Sequence, residues 1–326
     1  MTISHNQMNL NEALATSHKH RHIDPATLTT IADLAKTLRE QGNFSGAKTL
    51  LESVLDTRRR ILGEEHPDTL MAMSNLALTL CYQGDLSTAR KFQESVLKAL
   101  RRIQGEEHTD TLCAMNNLAG TLGAQGYLTE ACVLQELVLE TRRRLFGNEH
   151  PDSLTSMNNL ASTLSEQGNL SVARAMQEFV LTTHCKISGE KNPATLAARS
   201  NLAITLYALG LWRDAQVQQE QVLGITRDVL GEEHPDTLTA MFNLAAICWE
   251  MDDFEKTQTL EESILEIKRR LFADDSDEVL LAMECLAATL EYLNRDDKSK
   301  ELRDEAISIR RRLGATQPQM QSSLHH

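Results

Sequence analysis

The stretch GEEHPDTLMAMSNLALTL, residues 63–80, decides the fold because the chain repeats it. It returns as GEEHTDTLCAMNNLAGTL from Gly105 and as GNEHPDSLTSMNNLASTL from Gly147. Looser copies follow as GEKNPATLAARSNLAITL from Gly189 and GEEHPDTLTAMFNLAAIC from Gly231. Each start lies 42 residues after the last, with no insertion or deletion. A constant period of this size marks an array of supersecondary units rather than one irregular domain.

Within a copy, Leu70, Met73, Leu76, Ala77 and Leu80 are spaced as one face of an α-helix. The helix starts near Pro67, at the position where a missing N–H costs nothing. Asp68 in its first turn suits the macrodipole. It stops at Gly84, which recurs as Gly42, Gly126, Gly168 and Gly210, because a residue past a helix end adopts the left-handed conformation. A second helix runs from about Leu86 to Ile103, with Leu86, Ala89, Gln93, Val96 and Leu97 toward its neighbours. Basic clusters such as Arg58-Arg59-Arg60 and Arg142-Arg143-Arg144 end these second helices, and acidic loops such as Glu64-Glu65 follow. Seven units fit: 24–65, 66–107, 108–149, 150–191, 192–233, 234–275 and 276–314. Each is a helical hairpin that cannot bury its apolar face alone, so the prediction is an all-α solenoid of stacked hairpins. Units six and seven carry Asp252 and Asn294 where the others carry the turn glycine. Residues 1–23 read as a leader with a possible short capping helix over Met8–His18, and residues 315–326 as a disordered tail.

Composition agrees. The 326 residues are 41% apolar but only 4% aromatic, so the core is aliphatic. The net charge of −13 opposes nucleic-acid binding, which needs a cationic surface. No apolar run is long enough to span a membrane, and the N-terminus lacks the apolar core of a signal peptide. Six cysteines without a CxxC pair point to free thiols in the cytoplasm.

The pattern Asn75-Leu76-Ala77, Leu80, Gly84, Leu86, Ala89 resembles the tetratricopeptide repeat. The 42-residue form with GEEHPDTL and NNLA is similar to the repeats of kinesin light chain and to those attached to nucleotide-binding signalling ATPases. No heptad coiled coil precedes the repeats and no GxxxxGK[ST] loop occurs, so a free-standing array is expected. The resemblance implies a right-handed superhelix whose first helices line a concave groove that binds protein or peptide segments. It places Asn75, Asn117, Asn159, Asn201 and Asn243 there as a ladder, with Asp33 and Cys285 in the outer units. In related arrays such asparagines grip the backbone of an extended peptide, and a carboxamide suits that task because it both donates and accepts. The same side chain can instead brace its own hairpin. Asn116, Asn158, Ser162, Arg199, Tyr207 and Trp249 complete the candidate groove, polar near units three and four and aromatic near units five and six.

Other motifs are weaker. Met73, Met115, Met157, Met241 and Met283 form a stripe at helical spacing, which reads as core. Arg199 interrupts it and can snorkel, pair with a carboxylate or meet an acidic group of a ligand. Lys36 and Arg39 lie too far from Arg199 to build a carboxylate clamp. His66, His108, His150 and His234 recur at the period but read as loop and capping residues. Helices pack about 8–10 Å apart, too far to share a metal bonded at about 2 Å. His18, His20 and His22 form a tract that can bind a transition metal only if it folds around one. No catalytic motif and no cofactor site is evident. The expected function is a non-catalytic adaptor that binds an extended peptide or partner segment and is a monomer or weak homo-oligomer. The alternatives are a scaffold that self-assembles through its end repeats and a metal-responsive protein using the N-terminal histidines.

Overall fold

A computed structural model describes residues 25–312. The leader, the capping helix, the tract His18, His20 and His22 and the tail 315–326 all lie outside the described residues. The described chain forms α1 (Pro25–Glu40), α2 (Phe44–Leu62), α3 (Pro67–Tyr82), α4 (Leu86–Gln104), α5 (Thr109–Ala124), α6 (Leu128–Phe146) and α7 (Pro151–Glu166). It continues as α8 (Leu170–Ser188), α9 (Pro193–Ala208), α10 (Trp212–Leu230), α11 (Pro235–Glu250), α12 (Phe254–Leu271), α13 (Asp277–Tyr292) and α14 (Asp296–Arg312). The described residues contain no strand. Odd-numbered helices open a hairpin and even-numbered helices close it; they are the A and B helices below. The chain divides into two compact bodies, α1–α6 within Met1–Asn148 and α7–α14 within Glu149–His326.

The repeated sequence builds the repeated ends. His66, His108, His150 and His234 are the residues before their A helices, and each Nδ1 accepts from the backbone N–H two residues on, at 3.1–3.2 Å. They satisfy a helix-end donor that would otherwise be left without a partner. Asn192 does the same for Ala194 at 2.9 Å, and Ser276 for Val279 at 3.3 Å. At the other end of α3, Gly84 takes φ +81°. Its N–H donates to the Cys81 carbonyl and that of Asp85 to the Leu80 carbonyl, both at 3.0 Å. Asp252 and Asn294 adopt this left-handed turn despite their Cβ atoms, at φ +57° and +54°.

Small and aliphatic side chains fill the space between helices. Leu70, Met73, Leu76, Ala77 and Leu80 of α3 are buried, as are Ala89, Val96 and Leu97 of α4. Met115, Met157, Met241 and Met283 are buried too, so the methionine stripe is core. The B-helix cations tie repeats together at the rim. Arg59 pairs with Glu64 at 2.9 Å in its own loop, while Arg144 reaches back to Glu107 at 2.5 Å and Arg270 to Glu233 at 3.3 Å. These pairs are exposed, so water and salt screen them and they contribute little to stability.

Candidate functional site

On an A helix, residues three and four apart share a face. On α3 that face is Met71, Ser74, Asn75 and Leu78, and on α5 it is Cys113, Asn116, Asn117 and Gly120. These residues are exposed or half-buried, whereas Leu76, Ala77 and Leu80 point inward. In the second body the same face comprises Asn158, Asn159 and Ser162 on α7, Ser200, Asn201 and Ile204 on α9, and Phe242, Asn243 and Ala246 on α11. Equivalent positions recur hairpin by hairpin, so each body presents its own ladder: Asn75 and Asn117 in the first, Asn159, Asn201 and Asn243 in the second.

The carboxamides are not all in the same state. Asn75, Asn117, Asn201 and Asn243 make no side-chain hydrogen bond to any described residue. Asn116 and Asn159 are engaged within the protein. Asn158 keeps its Oδ1 shielded from solvent without a partner, while the Ser162 hydroxyl donates to the Asn158 carbonyl at 3.1 Å. Cys285 holds the ladder position on α13, where burial pushes its thiol up to about 11. It therefore stays protonated and is no nucleophile.

Arg199 is a correction. Expected among the groove residues, it is 6% exposed and lies inside its hairpin. Its guanidinium donates to Gln218 Oε1 at 2.9 Å, to Gln221 Oε1 and, at 3.8 Å, to Cys185 Sγ. It pairs with no carboxylate among the described residues. Tyr207 and Trp249 lie further along the A helices and are partly occupied. Tyr207 donates to Glu250 at 3.0 Å. Trp249 packs edge-on against Phe254 and Tyr292, with ring centres 5.2 and 4.7 Å away.

A family model for the tetratricopeptide repeat matches residues 26–102, 110–186 and 194–270. The chain belongs to the tetratricopeptide-repeat family. Among solved structures it is similar to the kinesin light chain nearly identical TPR-like repeats of Podosopora anserina. There the identity is 28%, the match covers 64% of this chain and 98% of that one, and the TM-score is 0.53. It is similar to BtubC (BKLC) of P. vanneervenii at 18% identity, covering 73% and 96%, with a TM-score of 0.61. It also matches NprR in complex with its cognate peptide NprX at 15% identity, covering 95% and 86%, with a TM-score of 0.58. A search of curated proteins returned no match.

The tetratricopeptide array holds two features that motif reading left unassigned, although it placed Gln93 toward neighbouring helices. Gln93, Gln135, Gln177 and Gln219 recur at the period on B helices, and all are buried with an unpartnered Oε1. Gln219 also bridges to the next A helix: its Nε2 donates to the Ala240 carbonyl at 3.2 Å. The fifth member of this series is Glu261. Burial pushes its carboxyl up to about 7, although the Thr289 hydroxyl donates to it at 2.6 Å. The second feature is a set of large apolar side chains on the A-helix face: Ile204, Phe242 and Leu281 are about half exposed. Comparing repeats position by position finds both: the glutamines recur in phase until Glu261 replaces them, and the apolar side chains stand where most equivalents are small or polar. Among the described residues no cluster of His, Cys, Asp or Glu is placed to hold a metal ion, and no helix is long and apolar enough to cross a membrane.

Proposed function

We propose that this chain is a non-catalytic adaptor that holds an extended peptide, or a segment of a partner protein, along the A-helix faces of its hairpins. One observation carries the reading. Asn75, Asn117, Asn201 and Asn243 are kept at one position of the repeat, yet their carboxamides bond to no described residue. An asparagine that only braced its hairpin would spend its donor and acceptor there. Carboxamides left unbonded at one position of the repeat, two in each body, instead offer a matched donor and acceptor to a peptide unit. NprR, which shares the fold, was solved with its cognate peptide. We place the protein in the cytoplasm, in keeping with its free cysteines.

The test is affinity capture from the source lysate with wild type and an Asn201→Ala/Asn243→Ala variant. Both side chains are only half-buried, so the variant should fold. A partner held by wild type and lost by the variant supports the reading; a partner set unchanged by the substitutions overturns it.

A further inference from the structure

We infer that the A-helix face of the second body is built for an extended partner segment with basic ends and an apolar middle; this rests on the adaptor reading above. The charges come first. The helices α7, α9, α11 and α13 carry the acids Asp152, Glu166, Asp236, Glu250, Asp277, Glu278, Glu284 and Glu291, against a single base, Arg199. That base is buried and bonded to glutamines. The cations of the B helices do not cancel this field. Arg310 pairs with Glu284 and Arg303 with Glu291, and Lys268 donates to the Glu278 backbone carbonyl at 3.3 Å, but the exposed carboxylates of Glu166, Glu250, Asp277 and Glu278 form no ion pair among the described residues.

The apolar residues set the path. Relative to the ladder asparagine, Ile204 is three positions later on α9, Phe242 one position earlier on α11, and Leu281 four positions earlier on α13 than Cys285. They are 52%, 47% and 51% exposed. The line they draw slips about one turn toward the helix N-terminus with each hairpin. Extended backwards by one hairpin, the line meets Glu166 at the end of α7. Extended forwards by one turn of α13, it meets Glu278, which shares a face with Leu281. The order along the diagonal is acid, three apolar contacts, acid, with the free carboxamides of Asn201 and Asn243 beside it.

Geometry sets the partner's spacing. Packed helices lie about 8–10 Å apart, and one turn adds about 5 Å along the axis. Each step is therefore about 10–11 Å, or three to four residues of extended chain at about 3.3 Å each. Side chains of an extended chain return to the same side every second residue, so four is the spacing that keeps every anchor facing the helices. The partner is a segment of about 16 residues, with apolar side chains four apart and Lys or Arg at both ends. Opposite charges of this kind steer association and fix direction, and salt screens them.

The experiment uses the full chain and a phage-displayed library of random 16-residue peptides. Enriched clones should carry Lys or Arg at both ends and apolar residues four apart. A synthetic copy of the best clone should lose at least tenfold in affinity, by fluorescence anisotropy, for Glu166→Lys/Glu278→Lys and again for Phe242→Ser. All three side chains are exposed, and thermal melts followed by circular dichroism confirm folding. Raising the salt from 50 to 500 mM should weaken wild type and strengthen the charge-reversed variant, because salt screens attraction in the one and repulsion in the other. Clones that depend on Asn201 and Asn243 but show no basic bias, or that bind the charge-reversed variant equally, overturn this inference and leave the adaptor reading standing. Enrichment of no clone, or only of clones indifferent to Asn201, Asn243 and Phe242, overturns both.

Discussion

The first body and the second are cut from one 42-residue pattern, and they fill equivalent positions with different chemistry. In the first, the core position of the A helix is Met73, and around it stand Phe92, Ser95 and Arg59. Arg59 lies over the Phe92 ring and pairs with Glu64 at 2.9 Å. In the second, the same four positions are Arg199, Gln218, Gln221 and Cys185. The cation has left the end of the B helix and entered the core. The aromatic ring and the serine have become carboxamides whose oxygens accept its hydrogen bonds. A buried guanidinium is tolerable only where acceptors replace the water it has lost. Four positions that differ together teach that the environment, and not the residue alone, sets what one site can hold.

The largest effect should come from breaking that match. Met73→Arg places a second cation beside Arg59 with no carboxamide to receive it. We expect a loss of about 3–5 kcal/mol, read from urea unfolding, and a normal melt would show that the surrounding residues are not what permits Arg199.

Next comes the glutamine series. Gln93 in the first body cannot titrate, whereas its counterpart Glu261 is a carboxyl that burial pushes up to about 7. The folded state prefers the neutral acid. Its stabilising contribution is therefore complete below about pH 4.5 and is lost as pH rises toward 7, by up to about 3 kcal/mol. Cys285 on α13 faces it as a neutral thiol, and Glu284 beside that thiol is paired with Arg310. Glu261→Gln should flatten this part of the stability profile, measured by thermal melts from pH 4 to 8, and leave the variant more stable than wild type at pH 8. A wild-type profile with no fall between pH 4.5 and 7 would refute the assignment.

Arg199→Met restores the first-body residue in the second. Replacing a buried charge by an apolar side chain of similar volume should stabilise by about 1–2 kcal/mol, visible as a shift to higher urea midpoint. The smallest change concerns the turns. Asp252 holds φ +57° where the first body uses Gly84 at +81°. Asp252→Gly should gain up to about 1 kcal/mol by removing the Cβ clash, and a lower melting temperature would contradict this.

Much of the fold is legible in the chain because it is local. Pro67, the capping His66, Gly84 and the spacing of Leu70, Met73 and Leu76 act within one or two turns, and each recurs in phase. The histidines prove instructive: their regularity suggests a metal ladder, and their Nδ1 bonds to backbone N–H groups show caps. The candidate site is legible only in outline. The asparagine positions can be counted off, but whether a carboxamide is free depends on neighbours in other helices. Asn159 and Asn201 are indistinguishable by phase, and one is engaged while the other is not.

Periodicity, helix ends and the aliphatic stripe were thus determined by the sequence itself, since they follow from the backbone geometry of a few consecutive residues. The burial of Arg199 and Glu261 and the diagonal of Ile204, Phe242 and Leu281 were decided only by the tertiary structure. The physical reason is that desolvation and hydrogen-bond partnership belong to the space between helices. Arg199 meets Gln218 and Gln221 across a hairpin, and Glu261 meets Thr289 across two B–A neighbours, at separations of 19, 22 and 28 residues that no local pattern encodes.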